Sequence, residues 1–268
     1  MIKFDYHTHS LHSTDGTASM EDMINAAISL GLEEYAITDH LDFDWPNAEI
    51  INCPYGIAAN IKAMEAMKKK FEGKIKVLAG AEISLRPDVA HIAQEIADAH
   101  DFDFIIGSAH DFEGIDFGLP QLHRGRSQHE VYTAYFENLL DVVRTCDAYD
   151  VVGHFDYVVR YGNYSDKSLR YADHKEIIDT ILKIIISKGK GIEINTAGIP
   201  YGIGHPHPHI DILRQYIKLG GEIITAGSDA HRPGNIAQYF DTAYEILQQL
   251  GVKYITRFDK RKPTFSAL

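Results

Sequence analysis

The sequence predicts an α/β barrel, and three observations carry that prediction. Short apolar runs alternate with longer segments of helical period along the chain. Repeated strand–helix units give a parallel sheet with helices outside it, and seven or eight units in roughly 250 residues suggest closure into a barrel. No Gly-rich fingerprint follows the first strand, which weakens the competing doubly wound sheet. The chain reads as one domain over 1–268, without a linker-like stretch or a sequence repeat.

The elements follow in order. Lys3–His7 is the first strand candidate. Ser19–Leu30 is a helix with Ser19 at the cap, Asp22 three residues on and Gly31 at the stop. Glu34–Thr38 is the next strand, and Tyr55–Phe71 a helix with Ile57, Ile61, Met64, Met67 and Phe71 on one face. Strands are expected at Ile75–Ala79, Phe104–Ser108, Asp150–Gly153, Gly191–Asn195 and Glu222–Ala226, each rich in Ile, Val, Phe or Tyr or bounded by turn residues. Helices are expected at Ala90–Ala99, Gln128–Thr145, His174–Ser187, Ile210–Leu219 and Ile236–Leu250. A short eighth strand is expected at Lys253–Thr256.

Composition narrows the function. Lys and Arg total 26 against 38 Asp and Glu, a formal net charge of −12. Such a surface repels phosphate backbones, so a nucleic-acid partner is not expected. The two basic runs, Lys68–Lys70 and Lys260–Lys262, read as solvated faces. No apolar run reaches the roughly 20 residues of a membrane span, and the N-terminal residues lack an apolar signal segment. Two cysteines, Cys53 and Cys146, make no disulfide framework. A cytoplasmic protein is expected.

The chain holds 15 histidines, and their placement is ordered. The strand ends read Asp5-Tyr6-His7-Thr8-His9, Thr38-Asp39-His40, Glu82, Ala109-His110-Asp111, Gly153-His154-Phe155-Asp156, Glu193-Ile194-Asn195 and Ser228-Asp229-Ala230-His231. In a parallel barrel these ends converge on one face, where active sites sit. His7 and His9, two apart on a strand, share a face. One such residue alone is more often a hydrogen-bonded core group. Many ionisable groups buried together without a cation would cost several kcal/mol per unpaired charge, about the scale that makes a metal cluster the economical explanation. His12 reads as a loop residue, and His91, His100, His129 and His174 as surface residues on helices. The stiff His205-Pro206-His207-Pro208-His209 tract reads as a solvent-facing loop or cap over the site.

Asp5-Tyr6-His7-Thr8-His9 resembles the Asp-x-His-x-His opening of the PHP (polymerase and histidinol phosphatase) superfamily, and the remaining motifs fall in that family's order over nearly the whole chain. Chain length, Gly153-His154-Phe155-Asp156 and Arg160 look like the monofunctional histidinol-phosphatase branch. The resemblance implies a distorted (β/α)7 TIM-like barrel with two or three divalent cations, zinc, manganese or iron. It implies that His7, His9, Glu82 and Asp229 hold one metal, that Glu82 bridges to a second held by His110 and His154, and that Asp15, His40 and His231 hold a third. Ser13-Thr14-Asp15-Gly16 also reads as an ordinary turn.

Such a centre suits phosphoryl transfer, since metals acidify a bridging water and neutralise phosphoryl charge. Without a Ser or Cys nucleophile motif, the expectation is hydrolysis of the phosphomonoester L-histidinol phosphate by a metal-bridging hydroxide, in histidine biosynthesis. Glu82, Asp229, His231 and Arg160 are the expected catalytic residues. Arg160 is the first choice for a phosphate fork, its alternative being a surface salt bridge, with Arg124, Arg126 and Arg232 weaker choices. Asn195 is expected to donate to substrate. The cationic end of such a substrate wants carboxylates; Asp42 and Asp44 are the obvious pair, with Asp156 and Glu113 as alternatives. Competing functions are a phosphodiesterase or nuclease of the same superfamily, a phosphatase for another small metabolite, and a non-catalytic metal-binding module.

Overall fold

A computed structural model describes residues 1–112 and 114–268. The elements are β1 (Phe4–Asp5), α1 (Met20–Ser29), β2 (Glu34–Ile37), β3 (His40–Phe43), β4 (Ile50–Ile51), α2 (Ile57–Lys70), β5 (Lys76–Ser84), α3 (Ala90–Ala99), β6 (Phe104–Ser108), β7 (Asp111–Phe112), β8 (Ile115–Asp116), α4 (Pro120–His123), α5 (Gln128–Thr145), β9 (Val151–Val152), α6 (Lys175–Ser187), β10 (Gly191–Asn195), α7 (Ile210–Lys218), β11 (Ile224–Gly227), α8 (Phe240–Gln249), β12 (Tyr254–Asp259) and β13 (Lys262–Ala267). Among the described residues no helix is long and apolar enough to cross a membrane.

Parallel strands run in the order β1-β2-β5-β6-β9-β10-β11. The ring closes between its ends: Tyr6 N–H donates to Ala226 O at 3.0 Å, Asp229 N–H to His7 O at 2.8 Å and His9 N–H to Ala230 O at 2.8 Å. This is the seven-fold barrel rather than the eight-fold one. The expected eighth strand takes no part in the ring. Its residues extend into β12, which pairs antiparallel with β13. Lys260 and Arg261 form the two-residue turn, with φ of 48° and 61°, the left-handed pair that a tight hairpin requires. The run Lys260–Lys262 is therefore a turn, not a solvated tail face.

That hairpin lies across the strand beginnings. Ile224 N–H donates to Thr256 Oγ1 at 3.0 Å, Arg261 N–H to Asp103 O at 2.8 Å and Arg261 Nε to Asp150 Oδ1 at 3.1 Å. Glu34, wholly buried at the start of β2, accepts from Tyr6 Oη at 3.0 Å and pairs with Arg257.

β5 is longer than its apolar run implied. Its first half pairs with β2, from Glu34↔Lys76 to Ile37↔Ala79, and its second half with β3, His40↔Glu82 and Leu41↔Ile83. The change of partner falls at Gly80, where a Cβ would lie 2.9 Å from Phe104 O and 2.9 Å from Thr38 Cγ2. α1 starts as expected, with Ser19 Oγ accepting from Asp22 N–H at 3.1 Å. Its buried stripe of Met20, Met23, Ile24 and Ala27 packs in one cluster with Met64, Ile37 and Val77. Each large side chain buried this way contributes about 1.5–3 kcal/mol. His174 departs from its expected surface position: it is buried, with the Phe136 ring centroid 5.4 Å away.

Candidate metal centre

Glu82 is the hub of the strand-end face. Its position inside β5, rather than past the strand, fixes its side chain in the barrel mouth. Oε2 lies 3.3 Å from Nε2 of His7, 3.6 Å from Nε2 of His9 and 2.9 Å from Nδ1 of His40. Oε1 lies 3.2 Å from Nε2 of His110 and 2.9 Å from Nε2 of His154. Asp229, just past β11, places Oδ1 3.7 Å from Nε2 of His7 and 3.5 Å from Nε2 of His9. Its φ of 55° is unusual for a residue other than glycine and aims the carboxylate inward. Asp15, with its side chain 56% exposed, approaches from the rim, Oδ2 being 3.0 Å from His231 Nε2 and 3.6 Å from His40 Nε2. Asp15 also sits in the turn expected of its neighbours, Gly16 N–H donating to Ser13 O at 3.2 Å. A cavity of about 430 Å³ beside the cluster is lined by Asp15, Tyr201, Asp229, His231 and Arg232.

A second layer orients these groups. His7 Nδ1 lies 2.8 Å from Glu193 Oε1, His9 Nδ1 3.3 Å from Ser13 Oγ, His110 Nδ1 3.4 Å from Asp42 Oδ1 and His231 Nδ1 2.9 Å from its neighbour Asp229 O. Ser108 Oγ donates to Glu82 Oε1 at 2.6 Å. Gly227 makes room for this: a Cβ there would stand 2.1 Å from Glu193 Oε1 and 2.4 Å from His7 Cβ.

With His7, His9, His110 and His231 turned by their outer nitrogens, inner atoms of the cluster are left over. His7 Nε2, His9 Nε2, His40 Nδ1, His231 Nε2 and Glu82 Oε2 are buried and make no well-aligned hydrogen bond among the described residues. Each such atom costs about 1–3 kcal/mol unless something satisfies it. Within one small space, the triplets His7–His9–Glu82, Glu82–His110–His154 and His9–His40–His231 each offer donor atoms lying within 4.8 Å of one another. The mixed nitrogen and oxygen set fits a divalent transition-metal ion.

The electrostatics agree. Burial opposes charge on His7 and His40, but the carboxylates outweigh it, Glu193 foremost at His7 and Glu82 at His40, and hold both well above the ordinary imidazole value. At His110 the same balance, led by Glu82 against burial, gives about 10. Burial wins at His9, pushed down to about 3, and at His154, pushed down to about 4. Glu82 and Asp229 stay ionised well below the usual carboxylate range, because against burial the imidazoles, His7 first, favour the charged form. The cluster thus sets ionised carboxylates against imidazoles that retain protons where cations would sit.

Comparison with known families gives a match to the PHP domain over residues 5–197. The chain belongs to the PHP family. The histidinol-phosphatase of Lactococcus lactis subsp. lactis is 34% identical over 269 residues, spanning 98% of this PHP chain and 96% of that protein. The probable histidinol-phosphatase of Clostridium acetobutylicum is 30% identical over 259 residues, spanning 96% of this chain and 97% of its own. Among solved structures, histidinol phosphate phosphatase from Lactococcus lactis subsp. lactis, complexed with zinc, L-histidinol and phosphate, matches with a TM-score of 0.89. That match has 30% identity and covers 98% of both chains.

The other residues singled out in the sequence fall differently around the PHP centre. Arg160 ends the short helical turn Tyr157–Arg160 after β9 and is buried, its Nη2 donating to Asp229 Oδ2 at 3.0 Å. It is no surface salt bridge. Asn195 is fully buried and engaged within the fold: its Nδ2 donates to Glu193 Oε2 at 3.0 Å and its Oδ1 accepts from Ala197 N–H at 3.0 Å. Asp156 is likewise buried, its carboxylate accepting from His207 Nδ1 at 2.6 Å and His209 N–H at 2.9 Å. Asp42 is turned to His110 and to Asn52 Nδ2, 2.6 Å away, and forms with His40 and His110 a further group of donor atoms within 4.8 Å of one another. Asp44 caps its own turn, accepting from Glu49 N–H at 2.6 Å. Glu113 lies outside the described residues. Arg124 and Arg126 are exposed and line another cavity with His123 and Tyr164. Arg232 is exposed at the rim, its Nε donating to Asn235 Oδ1 at 3.1 Å.

Two residues of this neighbourhood were named in the sequence without a role in the centre. Glu193 is a carboxylate inside a wholly buried strand, a position that demands a partner, and that signal was readable. His207 lies in the tract expected to face solvent, yet it is fully buried with Nε2 2.9 Å from Arg160 Nε. Flanking prolines hid it.

Proposed function

We infer that this chain hydrolyses L-histidinol phosphate to L-histidinol and phosphate, using two or three divalent cations. The observation that carries the reading is the Glu82 hub, a carboxylate shared by two sets of imidazoles in a chain alike over its full length to a phosphatase solved with zinc, L-histidinol and phosphate. In this reading His7, His9, Glu82 and Asp229 hold one cation, and Glu82 with His110 and His154 a second. Asp15, His40 and His231 hold a third. The two oxygens of Glu82 facing different imidazoles support its bridging role. Zinc, manganese and iron all suit these donors. Bound cations supply activation of water and neutralisation of phosphoryl charge.

The remaining work belongs to the chain. Glu82, Asp229 and His231 contribute to catalysis as ligands. Arg160 contributes as a donor to the phosphoryl oxygens, since its Nη1 has no partner among the described residues while Nε and Nη2 are engaged. Water attacks phosphorus directly, without a phosphoenzyme. In support, Ser228 Oγ is committed to Asp5, and neither free cysteine is in the centre. The two free thiols also support a cytoplasmic setting.

The test is phosphate release from a panel of monoesters by zinc- or manganese-loaded protein. A kcat/KM for L-histidinol phosphate far above that for generic esters is expected. Equal rates across the panel would leave a metal phosphatase and overturn the substrate. Covalent phosphate on the protein after a single turnover would overturn direct attack.

A further inference from the structure

We propose that Asp156 and His207 are positioning residues that fix the guanidinium of Arg160 for the phosphoryl group. This rests on the reading of Arg160 given above. Its basis is donor logic. The Nε–H of an arginine can only donate. Its acceptor here is Nε2 of His207, at 2.9 Å. The proton of the neutral His207 ring therefore sits on Nδ1, which donates to Asp156 Oδ1 at 2.6 Å. The other oxygen of Asp156 accepts from His209 N–H at 2.9 Å, so the chain ends on the backbone. The His207 backbone is itself tied to the end of β10, where His207 and Asn195 exchange two N–H to O bonds of 2.7 Å.

The result is a guanidinium held at two points and packed by two aromatic rings. Nε is set by His207 and Nη2 by Asp229. The rings of Tyr157 and Tyr201 lie over it, with centroids 5.1 Å and 4.6 Å from Cζ. Asp229 alone would leave the plane of the fork free to turn about one bond; the Nε contact removes that freedom. A planar donor fork serves a phosphoryl group only when its plane is set. Asp156 and His207 are wholly buried, make no hydrogen bond to the clustered ligand atoms among the described residues, and act through Arg160.

The test uses two substitutions that split the two bonds of His207. The amide oxygen of His207→Gln reaches the position of Nε2 and keeps an acceptor for Arg160. The amide of His207→Asn reaches only the position of Nδ1 and keeps the donor to Asp156. In the zinc-loaded protein, His207→Asn is expected to lower kcat/KM for L-histidinol phosphate by roughly 10–100-fold, the range for a residue that orients a working side chain. His207→Gln, which keeps the acceptor for Arg160 but not the bond to Asp156, is expected to lose several-fold less than His207→Asn. In an Arg160→Ala background His207→Asn should cost nothing more. The 15N–1H resonance of Arg160 Nε, slow to exchange in the parent and in His207→Gln, should be lost in His207→Asn. Asp156→Asn gives a second route should His207→Asn not fold, with a loss expected in the parent and none in Arg160→Ala. Equal losses for Asn and Gln, or losses that persist without Arg160, would make the pair merely structural and overturn the proposal. An Arg160→Ala protein as active as the parent would instead sink the phosphoryl role of Arg160, and the relay with it.

Discussion

The bond from His7 Nδ1 to Glu193 is the shortest of those that turn the imidazoles, at 2.8 Å, and it is wholly buried. Glu193→Gln keeps the shape and removes the charge. Zinc affinity is expected to fall about 10–100-fold, as for other outer partners of a metal-bound histidine. A competitive chelator titration measures it, and an unchanged affinity would remove His7 from the ligand set. Protons offer a second readout. His7, His40 and His110 are held above the ordinary imidazole value, so without metal they carry protons near neutral pH. A metal binds only the neutral ring, so uptake must release protons and affinity must rise with pH. Calorimetric titration with zinc in buffers of different ionisation enthalpy should report that release; none would mean the rings are already neutral. At this scale most of the clustered side chains were legible because they stand at strand ends beside turn residues; Glu82, inside β5, and Asp15, in a turn, are the exceptions. Asp42, Asp156 and Asn195 were legible as polar residues near the mouth but not as engaged ones, since their partners Asn52, His207 and Ala197 are set by loop paths that no local pattern encodes.

The elements that build the mouth owe their geometry to two close approaches, at Gly80 and at Gly227. Gly227→Ala would drive a methyl into Glu193 and His7. A loss of about 1–3 kcal/mol is expected on denaturant unfolding, the cost of overpacking, together with weakened zinc binding. Full zinc binding in a destabilised variant would mean that the neighbours move without disturbing the centre. The helices were legible from their apolar stripes and caps, and Ala90–Ala99 and Gln128–Thr145 match residue for residue. β3 was not. It alternates His40, Leu41, Asp42 and Phe43 directly after β2, so its pattern reads as loop until the far half of β5 supplies a partner. The same extension puts Glu82 within a strand. Periodicity identifies a strand's apolar part, and the polar half here is the part that carries the chemistry.

Across the whole molecule the two ends of the barrel are built for different purposes. One end gathers unsatisfied nitrogen and oxygen atoms, and the other is stopped by the β12–β13 hairpin, whose Arg257 meets the buried Glu34. Arg257→Met is expected to destabilise the fold by about 3 kcal/mol, because Glu34 loses a partner while remaining buried. Activity at the opposite end should be unchanged in the folded fraction. Urea unfolding and kcat measured on the same variant decide this, and equal stability would make Lys76 and Tyr6 sufficient for Glu34. The hairpin also imposes an order in time. Glu34 and Arg257 are 223 residues apart, so in a chain leaving the ribosome the carboxylate emerges long before its guanidinium exists. At about 5–20 residues per second that interval is roughly 11–45 s. Throughout it Glu34 has only Tyr6 and Lys76 to meet, and its end of the barrel can be stoppered only after Arg257 has been made.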